Sequence, residues 1–326
     1  MEDRFRRLID YLRVSVTDRC NLRCRYCMPE EGIPLKRHED ILRLEEIAYL
    51  VDCAAGLGVR KVRLTGGEPL VRKDLPALVS HLRAIPQIED LSLTTNGLLL
   101  AHYAGALKQA GLNRVNISLD TMDADRYRYI TRGGDLNQVL AGIEAAKEAG
   151  LHPIKINTVV VRGFNDDEVV AFARMAQATN THVRFIELMP IGEGMAWSQD
   201  AFVSADEILE ALREELELRP TSEVVGNGPA QYYALPQSTG TIGFIPALSH
   251  AFCHRCNRLR LTAEGSLRPC LQSDVEVDLK SPLRQGASRQ EIEGLFLRAL
   301  KLKPWRHCFD AEGWLHQRRR MSQIGG

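Results

Sequence analysis

The chain has 326 residues, enough for one large α/β barrel or two ordinary domains and for a sizeable buried core. Its 42 basic residues balance its 42 acidic ones, and 44% hydrophobic with 26% charged residues is ordinary for a globular protein, so the bulk composition calls for neither a nucleic-acid nor a membrane partner. No run of about 20 apolar residues reads as a membrane span. The opening MEDRFRRLIDYLRV lacks the apolar stretch and cleavage site of a secretory signal, which makes the cytoplasm the expected compartment.

Short strand-like runs alternate with helix-length amphipathic runs from the N-terminus onward. The strands are expected at YLRVSVT, KVRLT, LSLTT, NRVNISLD, IKINTVVV and VRFIELM. Helices are expected at Leu44 to Gly56, Leu75 to Ile85, His102 to Ala110, Asn137 to Ala149, and Asp167 to Ala178. Repeated βα units of this kind build a parallel sheet, and six of them predict an incomplete (β/α)6 TIM-type barrel. A capping-box pattern, Ser204 to Glu207, starts a further helix. From Pro220 onward the text changes to turn residues and short strand-like pieces, including YYAL and TIGFI. A strand pair around RLRLT and SLRPC and a helix after Ser288 follow. The expected division is a barrel domain over residues 1–220 and a small α+β domain over 221–326.

The strands alternate in polarity, which is unusual where parallel strands are covered on both faces. Side chains point to opposite faces at each step, so Arg13, Ser15 and Thr17 share one face. Arg63 and Thr65, Ser92 and Thr94, Asn116, Ser118 and Asp120, and Lys155 and Asn157 repeat the pattern. The apolar alternates can pack on helices, leaving a concave interior lined by hydroxyls, amides and cations. Barrels of this class bind ligands at the C-terminal ends of their strands.

Eight cysteines in a chain without a secretory signal read as metal ligands or buried thiols. Cys20, Cys24 and Cys27 stand in a C-x3-C-x2-C spacing within RVSVTDRCNLRCRYCMP. Three thiolates on one loop can hold three corners of an iron–sulfur cube and leave the fourth iron open for a ligand; by spacing alone, a zinc knuckle completed elsewhere is the other reading. Cys253, Cys256 and Cys270 form a second triad, C-x2-C-x13-C. In isolation it suits a zinc ribbon with His250 or His254 as well as it suits a cluster. Cys53 falls in an amphipathic helix and reads as a buried thiol; Cys308 has no assigned role.

CNLRCRYC resembles the signature of the radical S-adenosylmethionine superfamily. RLTGGEPL from Arg63 to Leu70, the NISLD strand, FIELMPIG, CHRCNRLRLT and the terminal RMSQIGG together resemble one family within it, the GTP 3',8-cyclases that open molybdenum cofactor biosynthesis. The resemblance runs from about Leu12 to the last residue. It implies two 4Fe-4S clusters, one on Cys20, Cys24 and Cys27 and an auxiliary one on Cys253, Cys256 and Cys270. It also implies S-adenosylmethionine held by Tyr26, Gly67, Ser118 and Met189, and GTP held by Arg13, Arg63, Thr94, Lys155 and the segment Arg258, Leu259, Arg260. In the family, cleavage of S-adenosylmethionine yields a 5'-deoxyadenosyl radical that takes hydrogen from the ribose, and the carbon radical closes onto C8 of guanine. Arg258, Arg260 and the terminal Gly325 and Gly326 carry catalytic roles by the same resemblance. A reductant protein and a homodimer are further implied. Glu68 is a candidate for the ammonium of S-adenosylmethionine, and Arg184 for a carboxylate or phosphate.

Overall fold

In the computed structural model, which describes residues 1–34, 36–191, 193, 198–223, 226, 228–307 and 319–324, each expected strand and helix of the first half takes its place. The order is β1 (Tyr11–Ser15), α1 (Leu44–Gly56), β2 (Lys61–Thr65), α2 (Leu75–Arg83), β3 (Asp90–Thr95), α3 (Leu100–Gln109), β4 (Arg114–Ser118), α4 (Ala124–Thr131), α5 (Leu136–Glu148), β5 (Lys155–Val160), α6 (Val169–Thr179) and β6 (His182–Glu187). Beyond these come α7 (Ser198–Ala201), α8 (Ala205–Glu215), β7 (Arg219–Thr221), β8 (Gln231–Ala234), β9 (Thr241–Ile245), β10 (Arg258–Leu261), β11 (Ser266–Arg268), β12 (Val277–Asp278), α9 (Lys280–Arg284) and α10 (Arg289–Lys301). Both α8 and α10 start from a serine capping box, Ser204 with Glu207 and Ser288 with Glu291, which satisfies backbone N–H groups that the first turn leaves open.

Helix α4 has no counterpart among the sequence expectations. Its ADRYRYIT is short and polar, and it buries only Tyr127, Ile130 and Thr131, too few apolar positions to show a period. The Asp123 carboxylate caps it by accepting from the backbone N–H of Asp125 and Arg126.

β1 to β6 pair in parallel in sequence order, as six βα units require. Two strands from the C-terminal part then extend the same sheet, β10 beside β1 and β9 beside β6, both parallel. Antiparallel β11 and β12 continue one end and β8 and β7 the other, so the barrel remains open. The outward alternates Leu12, Val14, Val62, Leu64, Leu91, Leu93, Val115, Ile117, Ile156, Val183 and Phe185 are buried in one continuous core with Ile47, Leu50, Leu78, Leu82 and Phe172 of the helices. Each such side chain contributes about 1.5–3 kcal/mol by leaving water. That core pins the register, and a slip of one residue would turn every lumen cation into it. Among the described residues no helix is long and apolar enough to cross a membrane.

Candidate functional site

The loop after β1 carries Cys20, Cys24 and Cys27 and is held from behind by the end of α4. The backbone N–H groups of Arg23 and Arg25 donate to the carbonyls of Thr131 and Ile130, and the Arg132 guanidinium donates to the carbonyls of Arg23 and Met28 at 2.9 and 2.7 Å. Within the loop, the N–H groups of Cys27 and Met28 share the Cys24 carbonyl, making one tight turn that presents the last two thiols together. Burial first, and then the neighbouring Cys27 thiol, pushes Cys24 well above the ordinary thiol range; burial pushes Cys27 up to about 12. The Cys27 sulfur accepts from the backbone of Ser322, so the C-terminal turn Met321–Gln323 lies against this triad.

Acidic groups surround the first triad. Glu68, 1% exposed, accepts from Thr95 Oγ1 at 2.7 Å and from the N–H groups of Asn96 and Leu70 at 2.6 and 3.0 Å, while burial raises its carboxyl to about 7. Asp120 accepts from the Tyr26 hydroxyl at 2.6 Å and from the Val159 N–H at 2.9 Å; burial raises it to about 6. Gly66 and Gly67 bring the TGGEP turn onto the loop, where a Cβ at Gly67 would overlap the Arg19 carbonyl.

The second triad begins in the turn Cys253–Arg255 and ends with Cys270 just past β11. Its sulfurs are not alike: burial pushes the Cys253 thiol up, and Cys256 goes the other way. Burial pushes the Cys256 thiol up, but Arg258 and then Lys303 outweigh that and bring it down to about 6. The Lys303 ammonium donates to Cys256 Sγ at 3.4 Å and to the carbonyls of Arg258 and Pro269 at 2.8 and 2.7 Å.

A cavity of about 330 Å³ lies between the triads and is lined by all six cysteines. That volume suits a small-molecule ligand. Tyr26, Gly67, Ser118, Met189, Arg13, Arg63, Thr94, Arg258 and Arg260 line it too, as do Asn157, Arg184 and Met321. Sheet register produces this convergence. Arg260 of β10 lies beside Arg13 of β1, which lies beside Arg63 of β2, and Arg258 lies beside Tyr11. Parallel partners point the same way, so the arginines form a row across adjacent strands. Like charges in such a row repel. Burial above all, together with neighbouring arginines, holds Arg13 well below the ordinary guanidinium value, Arg63 at about 10 and Arg260 at about 10. Since guanidinium groups stay protonated in proteins, the row presents concentrated positive charge to the cavity. The Tyr11 hydroxyl, Arg13 Nε, Thr94 Oγ1, Asn157 Oδ1 and Arg184 Nε are buried without a hydrogen-bond partner among the described residues. Buried polar atoms of this kind ordinarily find partners, so the cavity is built for a polar ligand.

Two of the sequence candidates sit elsewhere. Lys155, 1% exposed, lies beneath the lining, where its ammonium approaches the Tyr232 ring and hydroxyl; burial and then Arg184 lower it to about 6. The Leu259 side chain belongs to the apolar core on the other face of β10, so only its backbone is available to a ligand. Gly325, Gly326 and Cys308 lie outside the described residues. Cys53 is fully buried in the core. His250 is engaged with Asp206 at the surface, 2.7 Å, which removes it as a fourth ligand for the second triad. Sequence reasoning missed Tyr11, Asn96, Lys303 and His307 in the lining. Tyr11 begins the polar face of β1 and could have been found by extending the alternation one step; Lys303 follows a helix and carries no periodic signal.

Among the described residues no three cysteine, histidine, aspartate or glutamate side chains gather to share one metal ion. A cube takes one sulfur per iron, so its ligands need not meet at a point, whereas a zinc site requires it. The donor set fits the cluster: three soft thiols on each side, facing a shared cavity with room for a further ligand on the open iron.

The radical SAM superfamily model matches residues 14–176, and the model described as Molybdenum Cofactor Synthesis C matches residues 181–309. Proteins named GTP 3',8-cyclase from Pelotomaculum thermopropionicum and Moorella thermoacetica are 58% and 57% identical to the chain, with 100% of each sequence covered. Among solved structures, Streptococcus suis SuiB bound to S-adenosylmethionine superposes with a TM-score of 0.60 at 14% identity, covering 83% of this chain and 63% of that one. SuiB bound to the precursor peptide SuiA gives 0.59 at 15% identity, covering 81% of this chain and 60% of that one. The chain thus spans less than two thirds of those structures, and at such identity the likeness is one of fold.

Proposed function

The chain belongs to the GTP 3',8-cyclase family of the radical SAM superfamily, and from that premise we propose that it converts GTP to the 3',8-cyclised nucleotide in the cavity between its two cysteine triads. The reaction is the first step of molybdenum cofactor biosynthesis. One observation carries the residue-level reading: Arg260, Arg13 and Arg63 stand side by side on adjacent parallel strands and line a cavity with a cysteine triad at either end.

Cys20, Cys24 and Cys27 would hold one 4Fe-4S cluster and Cys253, Cys256 and Cys270 another. When bound, the first cluster with S-adenosylmethionine supplies the radical chemistry, and the second offers an open iron to the purine. The protein residues position and neutralise. Glu68 and Asp120 place negative charge beside the first triad, where a sulfonium and an ammonium must sit. Tyr26, Gly67, Ser118 and Met189 shape that end, with Gly67 allowing close backbone approach. Arg13, Arg63, Arg258 and Arg260 receive the triphosphate, for which guanidinium forks match the oxygens. Thr94 offers a buried hydroxyl to the sugar. Lys155 acts from beneath the lining through Tyr232, and Leu259 through its backbone. Arg184 adds to the same face an Nε that has no hydrogen-bond partner among the described residues.

Met321 and Ser322 line the cavity, and this supports a terminal segment, ending in Gly325 and Gly326, that reaches the reacting centre. We take residues 221–326 as an auxiliary-cluster unit built onto both edges of the 1–220 sheet. The family likeness also suggests a homodimer and a separate reductant protein. The test is anaerobic reconstitution with iron and sulfide, followed by S-adenosylmethionine and reductant with and without GTP. Formation of 5'-deoxyadenosine together with a cyclised nucleotide, both dependent on GTP, is the expected result. Formation of 5'-deoxyadenosine with no change in GTP would overturn it.

A further inference from the structure

We infer that Lys303 and Arg7 are positioning residues of the second triad, Lys303 setting the electron affinity of the cluster held there and Arg7 fixing its rim. The inference rests on the reading of Cys253, Cys256 and Cys270 as cluster ligands.

Lys303 is 2% exposed, and its three N–H donors are all used: one by Cys256 Sγ, one by the Arg258 carbonyl and one by the Pro269 carbonyl. Those acceptors lie on both sides of the β10–β11 hairpin. Pro269 immediately precedes Cys270, and Arg258 follows Cys256 by two positions. One ammonium therefore ties together the segments that bear two of the three sulfurs, and the same contact holds the backbone of an arginine that lines the cavity. None of its three hydrogen-bond partners is a carboxylate. A buried ammonium normally needs a counter-charge, and here the nearest candidate is the thiolate it touches.

Arg7 is 6% exposed and comes from the segment preceding β1. Its guanidinium donates to the Cys253 carbonyl at 2.7 Å and to the carbonyls of Pro304 and Trp305 at 2.7 and 3.1 Å, while Asp3 neutralises it at 2.6 Å. The remaining sulfur-bearing segment is thus fastened to the chain just beyond Lys303. The two cations differ: Lys303 touches a sulfur and has no carboxylate among its three hydrogen-bond partners, whereas Arg7 is paired with Asp3 and reaches the second triad only through a backbone carbonyl.

Hydrogen bonds and positive charge at the sulfurs of a cluster favour its reduced form, because reduction adds one electron to the iron–sulfur core. Lys303 should therefore raise the reduction potential, and Arg7 should govern retention alone. The experiment uses the full-length chain with Cys20, Cys24 and Cys27 replaced by alanine, reconstituted with iron and sulfide and titrated with dithionite as the electron source. Iron content, electron paramagnetic resonance and the rate of iron loss to a chelator are read. Lys303→Met should lower the ratio of reduced to oxidised cluster at a fixed potential at least tenfold, about 59 mV for a one-electron couple. Lys303→Gln keeps a donor without the charge and should show a smaller fall in the same direction. It decides the matter if the Met variant does not fold. Arg7→Gln should speed iron loss roughly tenfold with the potential unchanged. Lys303 variants with the parent's potential and iron content overturn the inference, as does an Arg7 variant with unaltered iron loss. Absence of iron from the parent would instead refute the cluster reading on which it rests.

Discussion

The two cysteine triads offer the same three donors to opposite surroundings. Around Cys20, Cys24 and Cys27 the buried charges are the carboxylates of Glu68 and Asp120, and Cys24 and Cys27 are pushed upward. Around Cys253, Cys256 and Cys270 the charges are the half-buried Arg258 and the buried Arg260 and Lys303, and Cys256 is drawn down to about 6 although burial raises Cys253. A cavity negative at one end and positive at the other orders two ligands of opposite charge without any further recognition. S-adenosylmethionine carries a sulfonium and an ammonium, and GTP carries a triphosphate. The contrast therefore assigns each to an end and keeps them from exchanging places.

The sharpest way to break that assignment is to remove one triad at a time. Cys24→Ala should abolish 5'-deoxyadenosine formation altogether while leaving the iron of the second triad in place. Cys256→Ala should leave S-adenosylmethionine binding intact and abolish GTP cyclisation. Metal analysis and product chromatography on the two variants give a reciprocal pattern if the ends are distinct. Loss of S-adenosylmethionine binding in Cys256→Ala would show instead that the site is one undivided unit.

A smaller effect is expected from thinning the arginine row. Arg13 lies between Arg260 and Arg63, and its Nε has no hydrogen-bond partner among the described residues. Truncating one member of a buried charge pair costs about 2–5 kcal/mol of binding, so Arg13→Met should weaken GTP by roughly 30-fold or more. S-adenosylmethionine affinity should hold. In the absence of nucleotide the same variant should melt at a higher temperature, because it removes a buried charge from a self-repelling row. Calorimetric titration and thermal unfolding test both signs, and a variant that loses stability along with affinity would mean that the row is structurally satisfied without a ligand.

Much of this is legible in the amino-acid sequence. Alternation along β1 to β5 placed Arg13, Arg63, Thr94 and Ser118 on one face, and the register brought them together because their apolar neighbours must all face the helices. What escaped was non-local. Helix α4 is too polar to announce itself, yet its end carries the first cysteine loop. The parallel docking of β9 and β10 depends on edges left open by strands far away in sequence. The alternation placed Lys155 on the right face, but only the packing of Tyr232 shows that it stops short of the cavity.

The smallest expected effect is the opposite titration of two buried groups, Glu68 beside the first triad and Lys155 beneath the lining. Glu68 is raised by burial from 4.5 to about 7, so between those values the folded chain binds more protons than the unfolded one and stability falls as pH rises. Lys155 is lowered by burial and then by Arg184 from 10.5 to about 6; there the folded chain binds fewer protons, and stability rises with pH above 6. Urea midpoints measured from pH 5 to 9 should therefore respond in opposite senses, Glu68→Gln removing a decline below neutrality and Lys155→Met a climb above it. Ligands should erase the same slopes selectively. An ammonium beside Glu68 keeps the carboxylate charged at lower pH, and a triphosphate near Lys155 keeps the ammonium charged at higher pH. If S-adenosylmethionine flattened the alkaline limb, or GTP the acidic one, the polarity assigned to the cavity would be inverted.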